Sequence, residues 1–457
     1  MKVTFDPTQK IMGIGLVPWA RLGPERWFSN YGIASAYDWD IDIANAPKVV
    51  ALHAVDPSVV LPRQNTPAML NDPVFQKLLT EHFRDTAVLA YKAVDVPEIL
   101  KANGMKFLTN GTELAHSLEN KAFFRRHFTP LGIPFPEYKI YDNHSLVATD
   151  DVLREFLELG DEVVVQDARL SGGKGTFMVS DPATLEYCFD ALRHMKSDGT
   201  IVVSRKIPSA HERSVQCVAT RYGVFVGPLQ KQIIANPLLA NLNVPDGYKF
   251  CGIELNPDDA YAAAYPEIKA IAEKIGRELL ALGYKGIFGI DFLIDESGTV
   301  FVLEVNPRLT GATPLQTMLY RQDRDIPFYL LHILELTGAE YSIDDTTLPA
   351  TPQTGSLLMV HAQNDATMTV DESVRSGLYD DQLTYRKSAI YFDDTADRQV
   401  LIQRYVPSSF KLKPGGRIAC LFTNYPVLEA DDTLSKNVET LVSKVQAMVK
   451  LERLNHQ

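Results

Sequence analysis

Two apolar runs in the second half of the chain, residues 288–294 and 299–305, are joined by the polar turn Asp295-Glu296-Ser297-Gly298, which predicts an antiparallel hairpin. Helical periods flank it. Ile268, Ile271, Ala272, Ile275, Leu279 and Leu282 share one face over 266–282, with Gly283 ending the helix. Leu330, Ile333 and Leu334 mark a further helix closing near Gly338, and Leu434, Val438, Leu441, Val445 and Met448 a last one over 433–451. Upstream, strands at 49–55 and 88–91 alternate with a helix begun by Asp72-Pro73 and a helical turn or two over 97–103. That alternation predicts a small open α/β domain. Residues 118–128 read as a helix carrying Lys121, Arg125 and Arg126, stopped by Pro130 and Gly132. A helix over 151–159 and strands at 162–165, 177–179 and 224–226 follow. Beyond an acidic, threonine-rich linker at 344–353, strands are predicted at 356–361, 389–392 and 417–422.

Each strand of the central hairpin carries one acid inside its apolar run, Asp291 and Glu304, and Asn306 and Arg308 continue the alternation from Glu304. Period-two geometry points Glu304 and Asn306 to one face. Two carboxylates and an amide oxygen make a hard, all-oxygen site suited to Mg²⁺ with a phosphate-bearing ligand. Arg308 adds a fixed cation for phosphate oxygens.

Composition narrows the classes. The 457 residues allow two to four domains, and 46% hydrophobic with 22% charged residues is ordinary for a globular protein. A formal net charge of −12 argues against nucleic-acid and anionic-membrane partners. The four cysteines, Cys188, Cys217, Cys251 and Cys420, lack CxxC spacing and read as reduced core thiols of a cytoplasmic protein. No leader-like segment or membrane span is expected. No GxGxxG follows a strand, so a dinucleotide site is not predicted. The alternating acids Asp38, Asp40 and Asp42 read as a solvated edge or loop in preference to a metal site.

The D(x)12-E-x-N-x-R arrangement resembles the metal-binding end of the ATP-grasp superfamily, and other family features follow in order over roughly 115–315. Lys121, ahead of Leu131-Gly132-Ile133-Pro134-Phe135-Pro136, stands where the family's phosphate-reaching lysine does. Ser171-Gly172-Gly173-Lys174-Gly175-Thr176, between two strands, looks like the family's glycine-rich flap, whose amides cradle phosphates. Where the family closes the preceding strand with lysine, this chain has Gln166; Lys174 or Arg169 are candidates to restore the charge. Arg205, Lys206 and Ile207 match the adenine hinge, with Ser204 where many members have glutamate, and Glu212 matches a residue near the ribose. Gln230-Lys231-Gln232, after the 224–226 strand, is expected to line the phosphate or acceptor side.

The resemblance implies an α+β ATP-grasp fold, two α+β subdomains gripping ATP, with an N-terminal α/β domain and a C-terminal β-rich appendage. The expected division is 1–115, 116–210 (lid with flap), 211–343 (metal-binding) and 344–457. ATP and Mg²⁺ are the implied cofactors, with two metal ions held by Asp291, Glu304 and Asn306 and Mn²⁺ able to substitute. ATP-binding residues are Lys121, Gln166, Gly172, Gly173, Lys174, Gly175, Arg205, Lys206, Ile207 and Glu212, and Arg308 and Lys121 are the catalytic ones. The implied activity is ATP-dependent ligation of a carboxylate or other activatable oxygen to an amine, releasing ADP and phosphate. The partners are a small-molecule acid or an enol or ketone acceptor and an amino acid, with a homodimer as the assembly. Within the family, the chain's length and Gln166 favour the kind that joins glycine to a cyclohexenone to make a mycosporine over dipeptide synthases. Biotin carboxylase is disfavoured, because its longer flap pattern and its carrier domain are not seen. A nucleotide-binding regulatory protein without turnover is the alternative, suggested by Gln166 and Ser204.

Overall fold

The computed structural model describes residues 2–57, 66–142, 147–170, 175–195, 199–244, 250–321, 325–344, 354–393 and 398–453. A five-stranded parallel sheet comes first, in the order Lys48–Ala51, Tyr31–Ser35, Ile11–Gly15, Ala87–Leu89, Lys106–Phe107. This is the expected open α/β layer. Its central strand, Ile11–Gly15, precedes the first strand that the hydrophobic pattern predicts, at 49–55. The strand predicted at 49–55 ends at Ala51, and Leu52–Val55 is a helical turn. Helix Pro73–His82 starts as expected, with the Asp72 carboxylate accepting from the amides of Val74 and Phe75, both at 2.9 Å.

The segment at 118–128 is two helices, not one. Thr112–Glu119 ends at Asn120, whose side chain accepts from Phe123 N at 3.0 Å and so caps Lys121–Phe128. Lys121 is therefore the first residue of a helix. That helix lies on a four-stranded antiparallel sheet ordered Tyr138–Tyr141, Ile201–Arg205, Val163–Asp167, Thr176–Val179. Alternation gives the sheet two working faces. Val163, Val165 and Val203 pack with Phe156 and Phe189 of the outer helices, whereas Val202 and Ala168 pack against Ala122 of the Lys121 helix.

The remainder is dominated by one ten-stranded antiparallel sheet. Its order is Val300–Asn306, Gly286–Ile294, His211–Thr220, Gly223–Ile234, Phe250–Leu255, Gly355–His361, Arg417–Thr423, Val400–Arg404, Gly377–Tyr379, Tyr385–Lys387. The predicted hairpin forms its first two strands. Helix Tyr265–Ala281 buries Ile268, Ala272, Ile275 and Leu279 against Val215, Ile290, Phe292 and Val302 on one face. Residues 230–232 do not follow a short strand but lie inside the twelve-residue strand Gly223–Ile234. The C-terminal region is β-rich and joins the central sheet edge to edge, with Gly252 opposite Leu358. A Cβ on Gly252 would stand 2.0 Å from the Leu357 carbonyl oxygen, so only glycine permits that approach.

Three local expectations change. Residues 389–392 are not a strand; Val400–Arg404 takes that place in the sheet. The last helix is Lys436–Met448, followed by a strand, Lys450–Arg453, paired with Met368–Glu372. The acids near Trp39 lie in a loop, one of the two settings expected, but Asp38 and Asp40 are half-buried and paired. Arg404 reaches Asp38 at 3.3 Å and Asp40 at 3.7 Å, and Asp40 accepts from Ser376 N at 2.8 Å, so the loop ties the N-terminal layer to the C-terminal strands. All four cysteines are free and buried, as expected of core thiols.

Candidate functional site

Strand register builds the site. Asp291 and Glu304 are directly opposed across the hairpin, and Asn306 is opposed to Gly289. Opposed residues share a face. Asn306 donates to Asp291 Oδ2 at 2.9 Å, and Gln232, two strands away, donates to Asp291 Oδ1 at 2.8 Å. Gly289 leaves room for the Thr310 side chain, because a Cβ there would lie 2.7 Å from Thr310 Cγ2. Below, Gln216 accepts from Thr310 at 2.7 Å and Thr313 at 2.5 Å, fixing the strand that pairs with the Asp291 strand.

Cations approach from other elements. Lys121 is buried, with Nζ 3.4 Å from Glu304 Oε2 and 2.6 Å from the Leu170 carbonyl; its amide donates to Ala168 O at 2.8 Å. Arg308 is held on several sides, donating to Glu119 at 3.2 Å, the Tyr91 hydroxyl at 3.0 Å and Asn306 Oδ1 at 2.6 Å. It also lies over the Tyr91 ring. The amide oxygen expected to face a metal is thus also an acceptor for Arg308.

The two facing carboxylates disturb each other. Asp291 is held well above the ordinary carboxylate range, first by burial and next by the Glu304 charge, against the opposing pull of Arg308 and Asn306. Glu212, outward on the neighbouring strand, is raised by loss of solvent and then by Glu304. Such mutual repulsion is what a cation placed between them would relieve. Among the described residues no group of three or more His, Cys, Asp or Glu side chains forms a metal cage. Two carboxylates and an amide are instead a partial oxygen set, of the kind Mg²⁺ completes with water and phosphate oxygens. The residues fit the ion.

The other predicted residues are distributed as follows. Gln166 lies on the face of the small sheet that meets the Lys121 helix, and its amide donates to Thr176 Oγ1 at 3.4 Å. Gly172, Gly173 and Lys174 lie outside the described residues. Gly175 is described at φ +67°, and a Cβ there would lie 2.8 Å from Leu170. Arg205 is exposed at its strand end, its amide donating to Glu137 O at 2.8 Å. Lys206 donates from its amide to Glu162 O at 3.3 Å and pairs its ammonium with the Glu162 carboxylate, and Ile207 is buried. Lys121, Asp291, Glu304, Asn306 and Arg308 thus meet in one linked cluster, and among the described residues no bond joins Gln166, Arg205 or Lys206 to it.

Several residues of the cluster were not foreseen. Glu119 and Tyr91 brace Arg308 from sequence-distant elements, which no local pattern announces. Asp167 is buried and accepts from the amides of Arg169 and Leu170, both at 2.8 Å, shaping the entrance to the flap segment. Its signal was available: an acid closing an apolar strand just before a glycine-rich run.

This fold is the ATP-grasp fold. Residues 118–312 match the family model described as ATP-grasp domain. The chain is 27% identical over 219 residues to the carbamoyl phosphate synthase large chain of Ralstonia nicotianae, covering 47% of this chain and 19% of that one. The corresponding protein of Methanothrix thermoacetophila is 27% identical over 227 residues, covering 49% and 19%. The chain thus spans about a fifth of the length of the curated relatives it matches. Among solved structures, the biotin carboxylase domain of the Hydrogenobacter thermophilus 2-oxoglutarate carboxylase, in complex with MgADP, ADP and bicarbonate, superposes with a TM-score of 0.64 at 11% identity. That match covers 97% of this chain and 91% of the other. N5-carboxyaminoimidazole synthase of Aspergillus clavatus gives 0.55 at 14% identity over 96% and 99%.

Proposed function

We propose that this protein is an ATP-dependent ligase that activates a carboxylate or comparable oxygen by phosphorylation and joins it to an amine, forming ADP and phosphate. The observation that carries the reading is the register-paired Asp291 and Glu304 with Lys121 Nζ 3.4 Å from Glu304. Three separate elements are used to place one cation beside two acids that repel each other. Asp291, Glu304 and Asn306 would hold Mg²⁺, which when bound neutralises charge on the transferring phosphoryl group. Lys121 would orient phosphate oxygens from the start of its helix, where the helix dipole also favours anions. Arg308, fixed by Glu119 and Tyr91, would present a stationary positive charge to the activated acceptor.

The four-part division of the chain, a cytoplasmic setting and a homodimer belong to the same proposal. No helix among the described residues is long and apolar enough to cross a membrane, and four reduced thiols suit a reducing compartment. Glycine with a cyclohexenone is the first substrate pair to try.

The deciding experiment measures phosphate release from MgATP by the full chain, with amino acids and small acids or enols supplied singly and together. Release that requires both an amine and an oxygen acceptor supports the ligase. MgATP binding without release under any pairing would favour a regulatory nucleotide-binding protein, and no MgATP binding at all would refute the site.

A further inference from the structure

Arg125 lies one helical turn beyond Lys121 on the same helix, at the i+4 spacing that puts two side chains on one face. It is 1% exposed. Its guanidinium lies over the rings of Phe135, at 5.6 Å, and Tyr138, at 5.1 Å, which hold its flat faces and accept no hydrogen bond. Nε and Nη1 are buried and have no hydrogen-bond partner among the described residues. Burial pushes the group down to about 10, with Tyr138 and Glu304 acting in the opposite direction, so it keeps its charge at neutral pH and feels the acid of the site. A second orphan stands alongside. Ser204 Oγ is buried without a partner, and Ser204 is register-paired with Tyr138, so both face the same side of the small sheet.

A buried cation with two idle donors is costly, and proteins seldom retain one without a use for it. Nε–H and Nη1–H lie on different edges of the guanidinium, Nη1 on the side of Cδ, so each can donate to a separate phosphate oxygen. Gln166 faces the same helix from the same sheet face and carries no charge. Resting on the nucleotide reading above, we propose that Arg125 is a second cation of the nucleotide site, donating to phosphate oxygens beside Lys121 and supplying the charge that Gln166 lacks. Lys121 and Arg125 would then flank Glu304 from one helix face, one as a point charge and the other through two separately directed donors. The sealed position implies that the lid sheet and its helix shift to admit the ligand.

The test uses the full chain, with Arg125→Met and, should methionine not fold, Arg125→Gln. MgADP affinity is measured by calorimetry and unfolding temperature without ligand. The expected result is MgADP binding weakened about ten-fold or more, the worth of a charge-assisted hydrogen bond, with a ligand-free unfolding temperature unchanged or raised. Anything beyond three-fold with stability kept supports the assignment. Affinity within three-fold of wild type overturns it, as does a loss accompanied by a lowered unfolding temperature, which would make Arg125 a brace. Failure of the wild-type chain to bind MgADP would instead sink the nucleotide reading itself, and this proposal with it.

Discussion

Replacing Glu304 with glutamine removes one charge and almost no volume, so it separates the chemistry of the site from its architecture. Two effects on the fold oppose each other. Lys121, buried at 6% exposure, loses a partner at 3.4 Å and keeps the Leu170 carbonyl at 2.6 Å. A pair midway between exposed and buried is worth about 1–3 kcal/mol. Against this, Asp291 no longer faces a like charge and falls back toward the ordinary carboxylate range. The net change in stability should stay below about 2 kcal/mol, a few degrees in unfolding temperature for a chain of this size. Turnover should suffer far more. Losing an outer-shell group already costs 10–100-fold, and losing a preorganised group at the reacting charge about 10²–10³. A ligand carboxylate belongs at or above the upper figure. Phosphate release followed against Mg²⁺ concentration, with thermal unfolding in parallel, reads both quantities. Near-normal turnover at limiting Mg²⁺ would refute the assignment of Glu304, and a collapse of the fold would refute the claim that its two structural effects offset.

Gln166→Lys should change calorimetric MgATP affinity by less than about three-fold, because Arg125 already supplies positive charge beside that position; a ten-fold tightening would mean that the position lacks a cation and would count against Arg125. Arg308→Lys should lower kcat by about 10²–10³ with little change in KM for ATP, since lysine cannot span Glu119, Tyr91 and Asn306 at once; a rise in KM alone would make Arg308 a mere binding contact. His332 predicts a pH dependence of stability. It is fully buried, its Nδ1 accepts from Ile287 N at 2.9 Å, and burial lowers it to about 3. The unfolded chain takes up a proton near 6.5 that the folded chain refuses, so this stability is complete above 6.5 and lost as pH falls toward 3. Between pH 7 and pH 5 the loss should be about 2 kcal/mol by urea unfolding, and His332→Gln, which does not titrate, should shed that part of the slope.

How much of this was legible depended on sequence distance. The hairpin could be read because acids interrupt apolar runs on both sides of one turn, and its strands, Gly286–Ile294 and Val300–Asn306, differ from expectation by a residue or two at the ends. The break at Asn120 was readable in principle, as a capping residue ahead of a helix, but the continuous helical period across it masked the cap. At 389–392 a short apolar run resembled a strand yet Val400–Arg404 won the pairing, a choice made by the neighbouring strand Arg417–Thr423. Glu119 and Tyr91 reach Arg308 across 189 and 217 residues of chain, which no periodicity can announce. Arg125 was visible as a helix residue; that two of its nitrogens would be buried without partners was not.

The unbroken ten-stranded sheet also sets an order of events during synthesis. Strand Phe250–Leu255 pairs on one side with Gly223–Ile234, just made, and on the other with Gly355–His361, made about a hundred residues later. At ribosomal speeds of about 5–20 residues per second, that edge waits on the order of 5–20 s with its backbone groups unpaired. During the interval it offers a row of donors and acceptors to any passing extended segment. The glycine at 252, which later admits the Leu357 carbonyl so closely, leaves the waiting edge without a side chain to guard it. Shielding of the nascent chain should therefore matter most between the emergence of residues 250–255 and that of residues 355–361.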